Sequence, residues 1–333
     1  MLLIKGINLN LFNNTNVTTD NDLSDEMKTY YSDYLIDLAE PLLVHDQFGQ
    51  KHPIPKNGGK NIEFRKYSPL AKALTPLTEG VTPNGQKLAM SVITATIAQY
   101  GGYVELSDIL LLTAIDNNLV QATKLLGSQA GRTLDTITRE VLCGGTNVIY
   151  AGGGSSRATL VGGAQSGNNY LTVDDIKKAV RLLKKMNAPK IDGDYVAIIN
   201  QDVSYDLTND PEWKYPHQYV DTEHIYSGEI GRIAGCRFVE TSEAKIFSKA
   251  GAGTPKRDVY VTLVMGADAY GVTEVAGGGL QHIVKQLGSA GTGDPLDQRA
   301  TAGWKATKVA ERLVEEYLVR IESTSTFSDG EDN

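Results

Sequence analysis

Cysteine is scarce in this chain: Cys143 and Cys236 are far apart, and neither belongs to a Cys-x-x-Cys pair. That spacing suggests neither a disulfide framework nor a zinc site, and points to two reduced, buried thiols in a cytosolic protein. No apolar run approaches the ~20 residues of a membrane span. The N-terminal "MLLIKGINLNLF" is broken by a lysine and by asparagines, so it lacks the continuous core of a secretory signal. The sequons at Asn13 and Asn16 therefore carry little meaning. Positive charge is also in deficit, with 32 Lys and Arg against 40 Asp and Glu and a net charge of -8. This argues against a protein whose affinity comes from neutralising phosphates, yet suits one that surrounds DNA without sticking to it.

Signatures of chemistry are equally sparse. "GGGSSRAT" follows the strand-like "TNVIY", but it lacks the Lys-Ser/Thr of a phosphate loop and the spacing of a dinucleotide fingerprint, so it reads as a linker. His45 and His52 flank "DQFGQK", and His217 and His224 flank "QYVDTE"; neither pair has the helical i, i+4 spacing of a metalloenzyme, and surface loop histidines are common. Asp192 and Asp194 around Gly193, and Asp206 with Asp210, miss the spacing of a calcium loop and are better read as turn and capping residues. There is no Gly-x-Ser-x-Gly elbow. No enzyme, catalytic residue, cofactor or metal site is expected.

Glycine is what the chain has in excess: 34 of 333 residues, about a tenth against a usual ~7%. With 41% hydrophobic and 22% charged residues, the composition is that of a folded protein, long enough for more than one lobe.

Residues 1–22 are Asn- and Thr-rich and read as an extended arm. "LSDEMKTYYSDYLIDLAEPL" then predicts a helix capped by Ser24 and ended by Pro41. "KNIEFRKY" is an amphipathic strand, and Leu88–Val104 reads as a second long strand, the pair forming a hairpin. Between them lies "RKYSPLAKALTPLTEGVTP", whose Pro69, Pro76 and Pro83 forbid helix and central strand alike. A connection over about 68–87 far exceeds a hairpin loop of 2–5 residues, and so long an irregular stretch is usually a binding element. Arg65, Lys66 and Lys72 make this arm basic, with Glu79 its lone acid. They are candidates for pairing with acids on another subunit, although solvated charge is the simpler use of any one of them.

From Leu119 to Cys143 apolar residues step by threes and fours, predicting a long helix. Gly127 and Gly131 inside it cost ~1 kcal/mol each, which implies a close approach or a slight bend. Residues 151–168 read as a flexible glycine-rich connection. Beyond it, a helix capped by Thr172, the buried strands "DYVAIIN" and "DVYVTLVMG", a short helical turn at "SYDLTND" and a strand pair turning at Gly235 compose an α/β lobe. "RATAGWKATKVAERLVEEYLVRIE" carries a strand at each end, with a middle that periodicity leaves open. The tail "STSTFSDGEDN" reads as mobile.

The order of these pieces resembles the major capsid proteins of tailed double-stranded DNA bacteriophages, the Hong Kong 97 fold. In particular "VHDQFGQKHPIPKNGGKNIEFRKYSPL", "LTEGVTP", "GRTLDTITREVL", "GEIGRIAGCRFVET" and "DPLDQRATAGWKA" look like the Enquatro-type phage capsid family, over roughly residues 17–322. The resemblance implies an α+β chain: N-terminal arm and helix (1–45), extended β-hairpin loop (46–104), peripheral domain with a spine helix (105–170), axial α/β domain (171–296), a C-terminal return to the peripheral domain (297–322) and an acidic tail (323–333). It implies a structural protein of the virion capsid, assembled in the host cytoplasm. Its partners would be identical subunits in pentamers and hexamers, packaged dsDNA held without sequence specificity, and portal, scaffolding or decoration proteins, with no membrane. Candidate intersubunit contacts are Arg65, Lys66, Pro69, Lys72, Pro76, Glu79 and Pro83. Some relatives crosslink through a loop lysine; Lys66, Lys72 and Lys87 are present, but that chemistry is not implied here. The rival readings are an encapsulin-like nanocompartment shell and a glycine-loop nucleotide-binding enzyme.

Overall fold

The computed structural model describes residues 15–16, 44–52, 59–67, 70–113, 118–162, 169–217, 229–273, 280–289 and 293–328. The helix expected from Ser24 lies outside these residues. So does Pro69.

The strand β14 (Arg299–Arg312) organises the first of two large sheets. Along one side it runs antiparallel to β5 (Ala98–Ser107), from Arg299 opposite Ser107 to Lys308 opposite Ala98. Along the other it meets first β13 (Gln281–Lys285) and then β12 (Tyr270–Thr273). The short strands β1 (Thr15–Asn16) and β2 (Gln50–Lys51) add in parallel to β5 and β12. The helix α1 (Asp108–Thr113) follows β5, and the 26-residue α2 (Asn118–Cys143) lies across this sheet. Leu126 and Ala130 of α2 pack on Ala302, Trp304 and Ala306 of β14. Close packing here needs glycine: a Cβ at Gly102 would stand 2.9 Å from Gln129 Oε1, the atom that accepts the Trp304 indole N–H at 3.1 Å.

The second sheet runs β6 (Val148–Tyr150), β15 (Leu318–Ser323), β11 (Val259–Met265), β7 (Tyr195–Ile199), β9 (Cys236–Glu240), β8 (Glu229–Ile233), with β10 (Ile246–Phe247) on β11. Every residue of β7 and β11 is buried, which requires cover on both faces and explains their largely apolar sequences, with Thr262 the one polar residue. One face meets α3 (Val173–Lys185), α4 (Gln201–Asn209) and α5 (Pro211–His217), through Ile176, Val180, Leu183, Val203, Leu207 and Trp213. Each fully buried aliphatic here contributes about 2 kcal/mol. The opposite face presents Val196, Ile198, Val261 and Leu263 to Leu142 of α2 and to Tyr270 of β12, so this core joins the two sheets. Thr172 caps α3 by accepting from the Asp175 N–H at 3.4 Å.

Several expectations change. Leu88–Val104 is not one strand. β4 (Met90–Thr96) pairs with β3 (Asn61–Tyr67) in a separate two-stranded ribbon; at Ile97 the chain donates to Lys60 O at 2.9 Å and only then enters β5. Nor is 151–162 a flexible linker. It forms two short 3₁₀ turns, with Ala151 and Leu160 fully buried and Asn169 donating to Ala151 O. Its glycines supply positive φ at Gly152 and Gly153 for the turn. "SYDLTND" belongs to the nine-residue α4. The unsettled middle of 299–322 is the far half of β14 followed by a 3₁₀ turn at Glu315–Tyr317. Sheets also cut across the expected segments: β12 and β13, within 171–296, pair with β14, while β15 joins the α/β lobe.

Candidate assembly surface

The ribbon β3–β4 begins well anchored. Ile62 and Phe64 alternate with the exposed Glu63 and Arg65, and face the partly buried Ile93 and the buried Ala95 across the ladder. The Phe64 ring sits where a Cβ on Gly271 would come within 3.0 Å, and the His52 ring meets it edge-on at 5.6 Å. Lys66 Nζ stands 3.5 Å from Glu316 Oε2 of its own chain.

Past this base, nothing among the described residues covers the arm. Every described residue from Leu70 to Val92 is exposed, with no strand or helix before Met90. Its described hydrogen bonds are local: Leu74 N–H to Lys72 O, Val81 N–H to Thr78 O and Gln86 Nε2 to Ala71 O. Leu70, Leu74, Leu77, Val81 and Leu88 are 54% to 81% exposed. A single exposed leucine needs no explanation, but five on one loop form an unpartnered apolar element. Covering them yields on the order of 10 kcal/mol, enough to offset much of the entropic cost of association.

Of the seven expected contact residues, Arg65 lies on the outer face of β3, and Lys72, Pro76, Glu79 and Pro83 lie in the exposed loop. Lys66 is the exception, since it already meets Glu316 within the chain.

The body has open surfaces of its own. β13 is exposed along its whole length, no described strand pairs its outer edge, and Ile283, Val284, Leu287 and Leu296 are exposed around it. An open groove of about 430 Å³ follows α2 between Tyr100, Leu125, Ile137 and Glu243. On the same helix a Cβ at Gly127 would meet nothing within 4 Å, so the close approach expected there is not made among the described residues.

Buried polar groups support these surfaces and escape the sequence reading. His45 is no surface histidine: its Nδ1 lies 2.6 Å from Asp135 Oδ2, both side chains are 1% exposed, and its carbonyl accepts from the Tyr270 hydroxyl. Beside it the buried Lys308 ammonium meets Asp46 and donates to Leu134 O at 3.0 Å, while Thr138 donates to the other Asp46 oxygen. Arg312 and Arg320 donate to the carbonyls of Val141 and Cys143, closing the C-terminal end of α2, whose last carbonyls have no partners within the helix. Arg157 holds the fully buried Glu322 through two bonds of 2.8 and 2.7 Å, its guanidinium stacked 3.4 Å over Phe247.

None of this forms a reaction site. The His45–Asp135 pair has no access to solvent. Burial pushes the Cys143 thiol up to about 12 and raises Cys236 as well, so neither is a thiolate near neutrality. Asp210 accepts from the N–H groups of Val173 and Glu212, the capping role expected of it. His217 ends α5 and His224 lies outside the described residues. Among the described residues no three acidic, histidine or cysteine side chains could share a metal, and no helix is long and apolar enough to cross a membrane.

Known proteins give this geometry its setting. Among solved structures, the capsid of Ralstonia phage GP4 superposes with a TM-score of 0.71 at 15% identity, covering 92% of this chain and 96% of that one. The capsid protein of cyanophage Pam1 gives 0.67 at 13%, covering 90% and 95%, and that of cyanophage P-SCSP1u gives 0.64 at 12%, covering 95% and 98%. At such identities the likeness is one of fold, here the Hong Kong 97-like fold. No protein with a curated description matches the sequence. A family model described as phage capsid protein matches residues 91–317, a span running from the arm's return strand through β5 and α2 to β14 and ending at the turn at Tyr317. An exposed arm and open faces on the body suit a shell subunit, and the chain belongs to this phage capsid protein family.

Proposed function

We propose that this capsid subunit clamps its shell through the arm, laying the loop 70–89 over a neighbouring copy. The subunit builds an icosahedral shell from identical copies, and its role there is structural. The observation that carries the clamp is the loop itself: five apolar side chains exposed on an element that finds no cover among the described residues. A shell needs heterologous contacts that close. An arm that reaches out and finds its folded environment on the next molecule supplies one. Arg65 and Lys72 have no acid partner among the described residues and are free to pair across that contact, whereas Lys66 serves to seat the ribbon.

In this reading 46–104 is the extended loop, 105–170 carries the spine helix α2, and 171–296 contributes the axial surface that meets its copies around fivefold and sixfold axes. The shell encloses duplex DNA, is built in the host cytoplasm, and meets portal, scaffolding or decoration proteins. The phage family favours a genome over the protein cargo of a nanocompartment. Replacing residues 70–87 by a two-residue turn should leave a folded subunit, with unchanged far-ultraviolet circular dichroism, that forms no stable particles by negative-stain microscopy. Normal particles from that variant would show that the clamp lies elsewhere.

A further inference from the structure

One face of α3 sets itself apart from the rest of this acidic chain. Ile176, Ala179, Val180 and Leu183 are buried against the second sheet, which turns Lys177, Lys178, Arg181, Lys184 and Lys185 outward. Their spacing of three and four residues aligns them in a single stripe, about 12 Å long at 1.5 Å per residue. Lys190, just beyond the helix, is also exposed. Acids neutralise only the first turn of the stripe: Lys177 meets Glu212 at 2.5 Å, and Lys178 meets Asp174 at 2.8 Å and Asp175 at 3.0 Å. Arg181, Lys184 and Lys185 have no acid partner among the described residues.

Favourable interaction with the helix dipole accounts for cations in the last turn, but not for Arg181 or for the run as a whole. The partner can be chosen by composition. A contact between copies wants an apolar centre and is depleted in lysine, whereas from Val173 to Lys190 the one large exposed apolar side chain is Met186. A lysine-rich, apolar-free stripe matches a polyanion, and phosphates on one DNA strand advance about 3.4 Å each along the axis, so the stripe spans about three of them.

We propose that the Arg181–Lys184–Lys185 face of α3 is a non-specific contact for the phosphate backbone of duplex DNA. The proposal rests on the capsid reading, because a shell subunit lines the space that nucleic acid fills. It also fits the net charge of -8: adhesion is local and weak, in a molecule that elsewhere repels the polymer.

The test measures binding of a fluorescein-labelled 30-base-pair duplex to the purified full chain by anisotropy, between 50 and 200 mM NaCl, alongside particle formation by electron microscopy. The triple variant Arg181→Gln, Lys184→Gln, Lys185→Gln should show a log–log salt slope shallower by about 2.7, as expected when three phosphate contacts are lost. The charge-keeping variant Arg181→Lys, Lys184→Arg, Lys185→Arg should retain the original slope and shows that the triple change acts through charge rather than folding. Equal slopes for the original chain and the glutamine variant would overturn the proposal. So would a glutamine variant that binds DNA normally but no longer forms particles, since the face would then be a contact between copies. Failure of the unaltered chain to form particles would count against the capsid reading alone, because the salt slope is read separately.

Discussion

Asp46 and Lys308 are 262 residues apart in sequence and in direct contact in the fold, with Lys308 only 1% exposed. Breaking a buried pair costs most when it strands a charge in the interior. Asp46→Ala should therefore destabilise the unassembled subunit by about 3 kcal/mol in urea unfolding. A loss within a few tenths of a kcal/mol would show that Leu134 O and water suffice for the ammonium. Glu315 makes a different prediction. Burial raises its pKa, but the N–H and hydroxyl of Thr146 and the guanidinium of Arg312 outweigh that and hold it below its usual 4.5. A lowered folded pKa contributes stability that is present above the unfolded value and lost as pH falls through the folded one. The thermal midpoint of the unaltered chain should thus fall more steeply below about pH 4.5 than that of Glu315→Gln; parallel curves would exclude the carboxylate as an acid-sensitive tie. Arg312 and Glu315 are only three residues apart, but Thr146 lies 169 residues from Glu315 and Asp46 lies 262 from Lys308, and such pairs were not legible in the sequence because they meet only once the sheets have formed.

At the scale of elements, α2 illustrates how far pattern reaches. Its apolar spacing marks the helix and its end at Cys143. Among the described residues the surroundings of Gly127 are open. Gly127→Ala should stabilise the isolated subunit by about 1 kcal/mol, as expected for an exposed helix interior. If particles then fail to form from the more stable subunit, a neighbour's backbone occupies that space; if they form normally, the glycine is dispensable. The break at Ile97 was hidden for a related reason. Both β4 and β5 alternate with the same period, and only their different partners, β3 and β14, divide them. The run 151–162 misled by composition: glycine permits flexibility, but here it permits a tight turn over a buried Leu160.

For the whole molecule, long words in a fixed order carried the family, and three prolines in an overlong hairpin carried the arm. What sequence could not convey is how the two sheets share one interior. Leu142, Ile198, Leu263 and Tyr270 come from both and pack as a single core. The 3₁₀ turn Glu315–Tyr317 is the short crossing between β14 and β15, where the chain leaves one sheet and enters the other.

The exposed loop from Leu70 to Leu88 bears finally on how such a particle fails. If, as proposed, each copy lends its arm outward and stands under the arm of another, one vacancy uncovers two sites: the face that has lost its cover and the arm that has lost its seat. Damage then spreads from a hole more readily than it starts in intact lattice, and dissociation of the wall should be abrupt rather than gradual.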